Sequence, residues 1–273
     1  MTTVIIRYSS LGDIVLTGAV TKALGDATFL TLPRYHDIAR RLTGVSAVLA
    51  PGDPLPAGAR VIDLHHSLRS LRVRADVRVE RQDLRRRARV AFKSAPADPV
   101  ITRYARAAGV TPAEPPWLPE VRRGDVLVIA PGAAHATKRW PWWRELARAW
   151  PGPVRAIGGP GEEALVAPFG GVCEAGFERT LLALDGAAVL AAGDTGLLHL
   201  GAAVGLPVVG IFGPTTSIDG FFSYGGRAVE RPLSCRPCSR FGGDICPIGD
   251  HACLRELDVA SVLAACLSAR AAA

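Results

Sequence analysis

Short runs rich in Val and Ile recur along this chain, separated by amphipathic stretches, and that alternation constrains the fold more than any other feature. Thr3–Arg7, Ala27–Leu32, Ala47–Ala50 and Arg60–Leu64 read as strands, with helices predicted from Asp13 to about Leu24 and over Tyr35–Leu42. Ala113-Glu114-Pro115-Pro116-Trp117-Leu118-Pro119 is proline-dense and reads as a linker. The pattern then restarts, with strands at Asp125–Ala130, Val154–Ile157, Ala187–Ala192 and Pro207–Phe212. Helices are predicted over Trp142–Trp150, Glu162–Phe169 and Thr195–Val204, and from Asp258 to the end. Buried strand runs spaced by helices imply βαβ units and parallel sheets. The expectation is an α/β protein of two doubly wound, Rossmann-like domains, 1–118 and 119–273, facing a cleft. Ligands of such sheets bind beyond the carboxyl ends of the strands.

A length of 273 residues suits two such domains, and 49% hydrophobic against 21% charged residues excludes general disorder. No run of about 18 apolar residues occurs, so a membrane-spanning helix is not expected. The start, Met1-Thr2-Thr3-Val4, lacks the basic region of a secretory leader, and a cytoplasmic chain is expected. Charge is divided unevenly. Residues 1–125 hold 20 Lys+Arg against 12 Asp+Glu, whereas residues 126–273 hold 12 against 13. Within Arg69–Arg106 there are 12 basic and 4 acidic residues. Either a general arginine bias or an anionic partner, such as a phosphorylated lipid or a membrane surface, accounts for the excess. Nucleic acid is not expected, because only Phe92 and Tyr104 lie among these arginines to stack on bases.

Three loops at predicted strand ends carry polar residues. In Ser9-Ser10-Leu11-Gly12-Asp13, the carboxylate either caps the following helix or serves as a general base. In the loop Ala130–Pro141, Thr137 offers a hydroxyl, and Lys138 offers a point charge suited to phosphate unless it is a plain surface lysine. Lys138 is one of three lysines beside 29 arginines. In Gly193-Asp194-Thr195-Gly196-Leu197-Leu198-His199, backbone N–H groups at a helix start suit a phosphate. Asp194 would order the loop or meet sugar hydroxyls, and His199 is either a core histidine or faces the cleft. Neither GxxxxGK[ST] nor GxGxxG is present, and no Asp-x-Asp pair is available to hold a divalent ion on a nucleotide sugar.

Four of the six cysteines cluster as Cys235-x2-Cys238-x7-Cys246-x6-Cys253 in a loop spanning 235–253. That spacing suits a tetrathiolate site for structural iron or zinc, with free thiols or disulfides as the other readings. Cys173 and Cys266 read as buried, inert residues.

Together these segments resemble glycosyltransferase family 9, the ADP-heptose:lipopolysaccharide heptosyltransferases. The resemblance rests on SSLGDIVLTGAVTKAL, PGAAHATKRWPWWRELA, GDTGLLHLGAAVGLPVVGIFGPT and the tail CRPCSRFGGDICPIGDHACLRELDVASVL, which is similar to that of a four-cysteine branch. It implies a GT-B fold with an N-terminal acceptor domain, here abbreviated, and a C-terminal nucleotide-sugar domain. It also implies an inverting transfer without a catalytic cofactor. Asp13 matches the family's base. Thr137, Lys138 and the N–H groups of Thr195 and Gly196 match its phosphate-binding positions. Asp194 and His199 fall on its Asp-Thr-Gly-x-x-His pattern, and Glu163 matches an acidic ribose-binding residue. Ala133 and Ala134 depart from the small polar residue found there in many relatives. The implied partners are an ADP-sugar and an anionic glycolipid or other glycan, met at the cytoplasmic face of the inner membrane. A homo-oligomer is also within the reading. The competing reading is a degenerate transferase that assembles or binds through its metal knuckle.

Overall fold

The computed structural model describes residues 2–80, 83–92, 98–173, 176–222 and 224–272, excluding the side chains of 83–86 and 172. Arg81 and Lys93 of the basic segment lie outside the described residues. The chain forms two compact units. The first comprises Met1–Gln82, Asp98–Glu120 and Ala203–Gly205; the second comprises Asp83–Ala97, Val121–Ala202 and Leu206–Ala273.

The first unit holds β1 (Thr3–Ile6), β2 (Ala27–Leu30), β3 (Val45–Leu49), β4 (Arg60–Asp63) and β5 (Val77–Arg78) in the parallel order β3-β2-β1-β4-β5. Its helices are α1 (Leu11–Leu16), α2 (Gly18–Leu24) and α3 (His36–Ala39); α4 (Asp83–Phe92) belongs to the second unit, and α5 (Val100–Ala108) returns to the first. The second unit's sheet has the order β11-β10-β9-β6-β7-β8. Its strands are β6 (Arg123–Ala130), β7 (Val154–Gly158), β8 (Val172–Cys173), β9 (Ala187–Gly193), β10 (Val208–Phe212) and β11 (Arg227–Glu230). The helices α6 (Trp143–Ala149), α7 (Glu163–Val166), α8 (Phe177–Leu184), α9 (Gly196–Ala203), α10 (Ala252–Arg255) and α11 (Val259–Ala271) accompany them. A sheet covered on both faces buries both sides of its central strands, which explains why β9 is buried at all seven positions.

Both sheets have the Rossmann order, in which the direction of winding reverses beside the first strand. The reversal lies between β1 and β4 in one unit and between β6 and β9 in the other, with registers Ile6↔Asp63 and Ala130↔Ala192. Loops leaving these strand ends diverge to opposite faces and leave a crevice for ligands.

The predicted helix 13–24 is two helices. The Thr17 hydroxyl donates to the Asp13 carbonyl at 2.8 Å, competing with the helical ladder where α1 gives way to α2. The predicted helix 162–169 is also divided: α7 ends at Val166, and a 3₁₀ turn over Ala167–Phe169 accommodates Pro168. The proline-dense segment is not a loose tether. Trp117 is fully buried, its Nε1 donates to the Ala113 carbonyl (2.8 Å), and its carbonyl accepts from Thr43 N (2.8 Å). A Cβ at Gly18 would lie 2.6 Å from Trp117 Cβ, so α2 packs on the indole through bare backbone. The segment therefore forms a wall of the first unit.

Candidate active site

At the crevice of the first unit, Ser10 is the N-cap of α1 and Asp13 occupies its third position in a reciprocal capping box. Asp13 Oδ2 accepts from the Ser10 N–H (3.1 Å) and the Ser10 hydroxyl (2.9 Å), and it pairs with Arg7 Nη2 at 2.8 Å. Its Oδ1 accepts from the Tyr104 hydroxyl at 3.0 Å. Burial alone would raise the pKa of Asp13. The Arg7 charge and the bonds from Ser10 and Tyr104 outweigh it and hold the carboxyl below its ordinary value. The carboxylate is thus fixed and ionised, and Oδ1 keeps lone-pair capacity beyond the Tyr104 bond. Arg7 also donates through Nη1 to the Leu64 carbonyl at 2.6 Å, joining the loops after β1 and β4.

In the second unit the two loops at the crevice meet through an ion pair. Lys138, in the turn Ala136–Lys138 after β6, places Nζ 2.7 Å from Asp194 Oδ2 after β9. The Thr215 hydroxyl donates to the same oxygen at 2.8 Å. Burial would raise the pKa of Asp194, but Lys138, His199 and the Thr215 bond bring it below its ordinary value. Gly196 opens α9, and the Thr195 hydroxyl before it is buried without a hydrogen-bond partner among the described residues. His199 is buried, with Nδ1 2.6 Å from the Tyr224 hydroxyl. Burial and the Asp194 charge push that phenol well up.

Two residues singled out in the sequence point elsewhere. Thr137 turns its hydroxyl to the cysteine loop, donating to the Gly243 carbonyl (2.7 Å) and accepting from Gly243 N (2.9 Å). Glu163 is exposed and accepts from Gly161 N at 3.0 Å. Its neighbour Glu162 reaches the strand end instead: it accepts from Gly159 N at 2.8 Å, and its carboxyl carbon is 2.1 Å from where a Cβ on Gly132 would lie. Arg7, Tyr104 and Glu162 were missed in the sequence. Arg7 did carry a signal, because a charge directly after a buried strand points into the crevice.

The cysteine loop packs on the Lys138 loop. Cys238, Cys246 and Cys253 line a cavity of about 190 Å³ with Thr137, Ile245 and His251. Among the described residues no disulfide joins the four clustered cysteines. Burial pushes the Cys253 thiol up to about 11; Arg236 opposes this, and Cys238, Cys246 and Cys235 add to it, so the four groups share one neighbourhood. Four soft sulfur donors suit iron or zinc chemically. Among the described residues, however, no three His, Cys, Asp or Glu side chains converge as an ion requires. Arg236 fixes the loop to the end of β10 through the carbonyls of Gly213 (2.5 Å) and Thr215 (2.7 Å), and it pairs with Glu230 at 2.6 Å. Cys266, on α11, is buried in the core, which pushes its thiol up to about 12; Cys173 is partly buried.

Two Rossmann-ordered sheets in one chain have the GT-B architecture, the fold of the solved structures on which the chain superposes. Residues 175–227 match the sequence profile of glycosyltransferase family 9 (heptosyltransferase). Lipopolysaccharide heptosyltransferase 1 of Pseudomonas aeruginosa is 37% identical over 133 residues, covering 41% of this chain and 36% of that protein. The chain therefore matches about a third of the curated relative's length. The structure of a glycosyl transferase family 9 protein from Veillonella parvula superposes with a TM-score of 0.73 at 16% identity, covering 100% of this chain and 98% of the other. The iron-containing dodecameric glycosyltransferase TibC of enterotoxigenic E. coli gives 0.64 at 16% identity, over 99% and 76% of the two chains, and has also been solved with ADP-D-β-D-heptose. The family 9 profile is thus matched over residues 175–227, and the fold of the solved structures over the whole chain. Among the described residues, no helix is long and apolar enough to cross a membrane.

Proposed function

We propose that this protein transfers a heptose or a similar sugar from an ADP-sugar to a hydroxyl of an anionic glycolipid or other glycan of the lipopolysaccharide-core type, with inversion and without a catalytic cofactor. The observation that carries the reading is the state of Asp13: an ionised, immobilised carboxylate at the reversal point of the first sheet, with one oxygen open to a further donor. A carboxylate of low pKa is a weak base towards a resting hydroxyl. It becomes sufficient as the acceptor oxygen bonds to the anomeric carbon and turns acidic, so proton transfer to Oδ1 runs late, alongside attack. The bond from the anomeric carbon to the diphosphate oxygen breaks, and ADP leaves with the electron pair. Lys138 and the N–H groups of Thr195 and Gly196 supply fixed positive charge for that leaving group. Asp194 holds Lys138 in place and receives sugar hydroxyls. Glu162, rather than Glu163, is the better-positioned ribose acceptor.

The test is ADP release from ADP-heptose in the presence of a lipopolysaccharide-core acceptor, with calorimetric titration of ADP. Asp13→Asn should keep ADP affinity and lose turnover; wild-type turnover by that variant sinks the reading. Stabilisation against heat by another nucleoside diphosphate, and not by ADP, would reassign the donor.

The four cysteines would have to draw together to hold structural iron or zinc as thiolates, with no position left for substrate. Elemental analysis of protein purified without chelators tests this, and a metal-free, reduced and fully folded protein would refute it. The second reading, assembly through the cysteine loop, draws on its exposed Phe241, Ile245 and Ile248. It requires an oligomer that dissociates on chelation, measured by light scattering.

A further inference from the structure

The segment after β4 leaves the same end of the sheet as the Asp13 loop and is built to hold an unusual surface outward. Ser70 is fully buried. Its hydroxyl accepts from Ser67 N (2.8 Å) and donates to the Ser67 carbonyl (3.0 Å), while Leu71 N donates to that carbonyl at 2.9 Å. Val73 then packs against the core around β1. This pinned 3₁₀ turn, Ser70–Arg72, and the turn leading into it present Leu71 at 45% exposure and Leu68 at 82%, three positions apart along the chain. Arg69, Arg72 and Arg74 are exposed between and beside them. No acidic residue occurs from Ser67 to Ala75, and the next carboxylate, Asp76, is engaged by Val61 N at 2.7 Å.

We infer that this turn docks the protein on an anionic phospholipid bilayer, with Leu68 and Leu71 entering the interface and the three arginines meeting lipid phosphates. Charge complementarity selects this occupant. Two copies of the turn would set arginine against arginine, and two leucines bury too little area to hold a dimer. Two apolar side chains with adjacent cations are the combination that binds a membrane surface reversibly. The turn is tied to the base by the Arg7 bridge between the Leu64 carbonyl and Asp13. Docking would thus bring the carboxylate to the depth at which a lipid-borne hydroxyl emerges. The inference rests on the reading of a lipid-borne acceptor.

Binding of the full chain to vesicles is measured by flotation without donor or acceptor, so failure of docking and failure of transfer are separate results. Vesicles of phosphatidylcholine with 30% phosphatidylglycerol should carry the protein, and pure phosphatidylcholine should not. Arg69→Gln and Arg72→Gln should each weaken binding about fivefold. Leu68→Ser/Leu71→Ser should weaken it about tenfold or more with an unchanged melting temperature. Equal binding by wild type and these variants, or no binding to anionic vesicles, overturns the inference. So does a loss of oligomeric mass in the leucine variant without lipid, which would assign the turn to a second copy.

Discussion

Lys138 Nζ and Asp194 Oδ2 stand 2.7 Å apart, bringing a cation and a carboxylate from two adjacent strand ends into one buried pair. Under the proposed function, an arriving diphosphate would share that cation. Replacing Lys138 by Met should cost a charge-assisted contact of about 1.5–3 kcal/mol, roughly ten- to a hundredfold in ADP affinity. It also leaves Asp194 buried without its partner, and a lone buried charge costs about 3–5 kcal/mol of stability. Lys138→Met/Asp194→Asn should recover much of the stability and none of the affinity. Denaturant titration beside ADP calorimetry separates the two effects.

Asp13 predicts the acid side of the pH profile. Its folded pKa is lowered, so its contribution to stability is fully present above the ordinary carboxylate value near about 4 and is lost as pH falls through the lower folded value. Activity that needs the ionised form should persist into the same acid range. Tyr104→Phe removes one donor, raises the Asp13 pKa and shifts the acid limb of kcat/KM upward. An unmoved limb in that variant would separate Tyr104 from the base. Asp13→Asn should lower kcat by about 10²–10⁴-fold.

Gly242 takes φ +96 against the Lys138 loop, where a Cβ would lie 2.9 Å from both His135 Cβ and Lys138 Cδ. Gly242→Ala must therefore displace the lysine. If Lys138 reads the donor phosphates as proposed, a shift of about 1 Å there costs on the order of 100-fold in kcat/KM. Steady-state kinetics on ADP-sugar should show that loss although glycine has no side chain to contribute. Normal kinetics would mean the loop yields without moving Lys138.

Trp117→Ala should destabilise the first unit by about 3–5 kcal/mol, as expected for emptying a fully enclosed indole site. A loss near zero in urea would return the proline-dense segment to the role of a tether.

Parallel strands buried on both faces leave uninterrupted apolar runs, Val- and Ile-rich in β1, β6 and β10 and alanine-rich in β9, so these strands were legible, as were the polar loops that follow them. The two-residue strands β5 and β8 leave no comparable trace. The partners of the site residues were less visible, because tertiary contact assembles them. Tyr104 reaches Asp13 across 91 positions. Adjacent glutamates cannot be ranked before a backbone exists, and Glu162 rather than Glu163 approaches Gly132. Thr137 stands in the motif beside Lys138, yet its hydroxyl is spent on Gly243. No spacing rule reports which way a side chain turns once a later loop folds over it.

Arg236 belongs to the cysteine segment by sequence and to the second sheet by its bonds, since it satisfies carbonyls at the end of β10 and balances Glu230. Thr215 carries the connection onward, its carbonyl held by Arg236 and its hydroxyl by Asp194. A protein shortened at residue 234 would therefore shed more than an appendage: Glu230 would be stranded without its counter-ion, and the orientation of Asp194 would slacken.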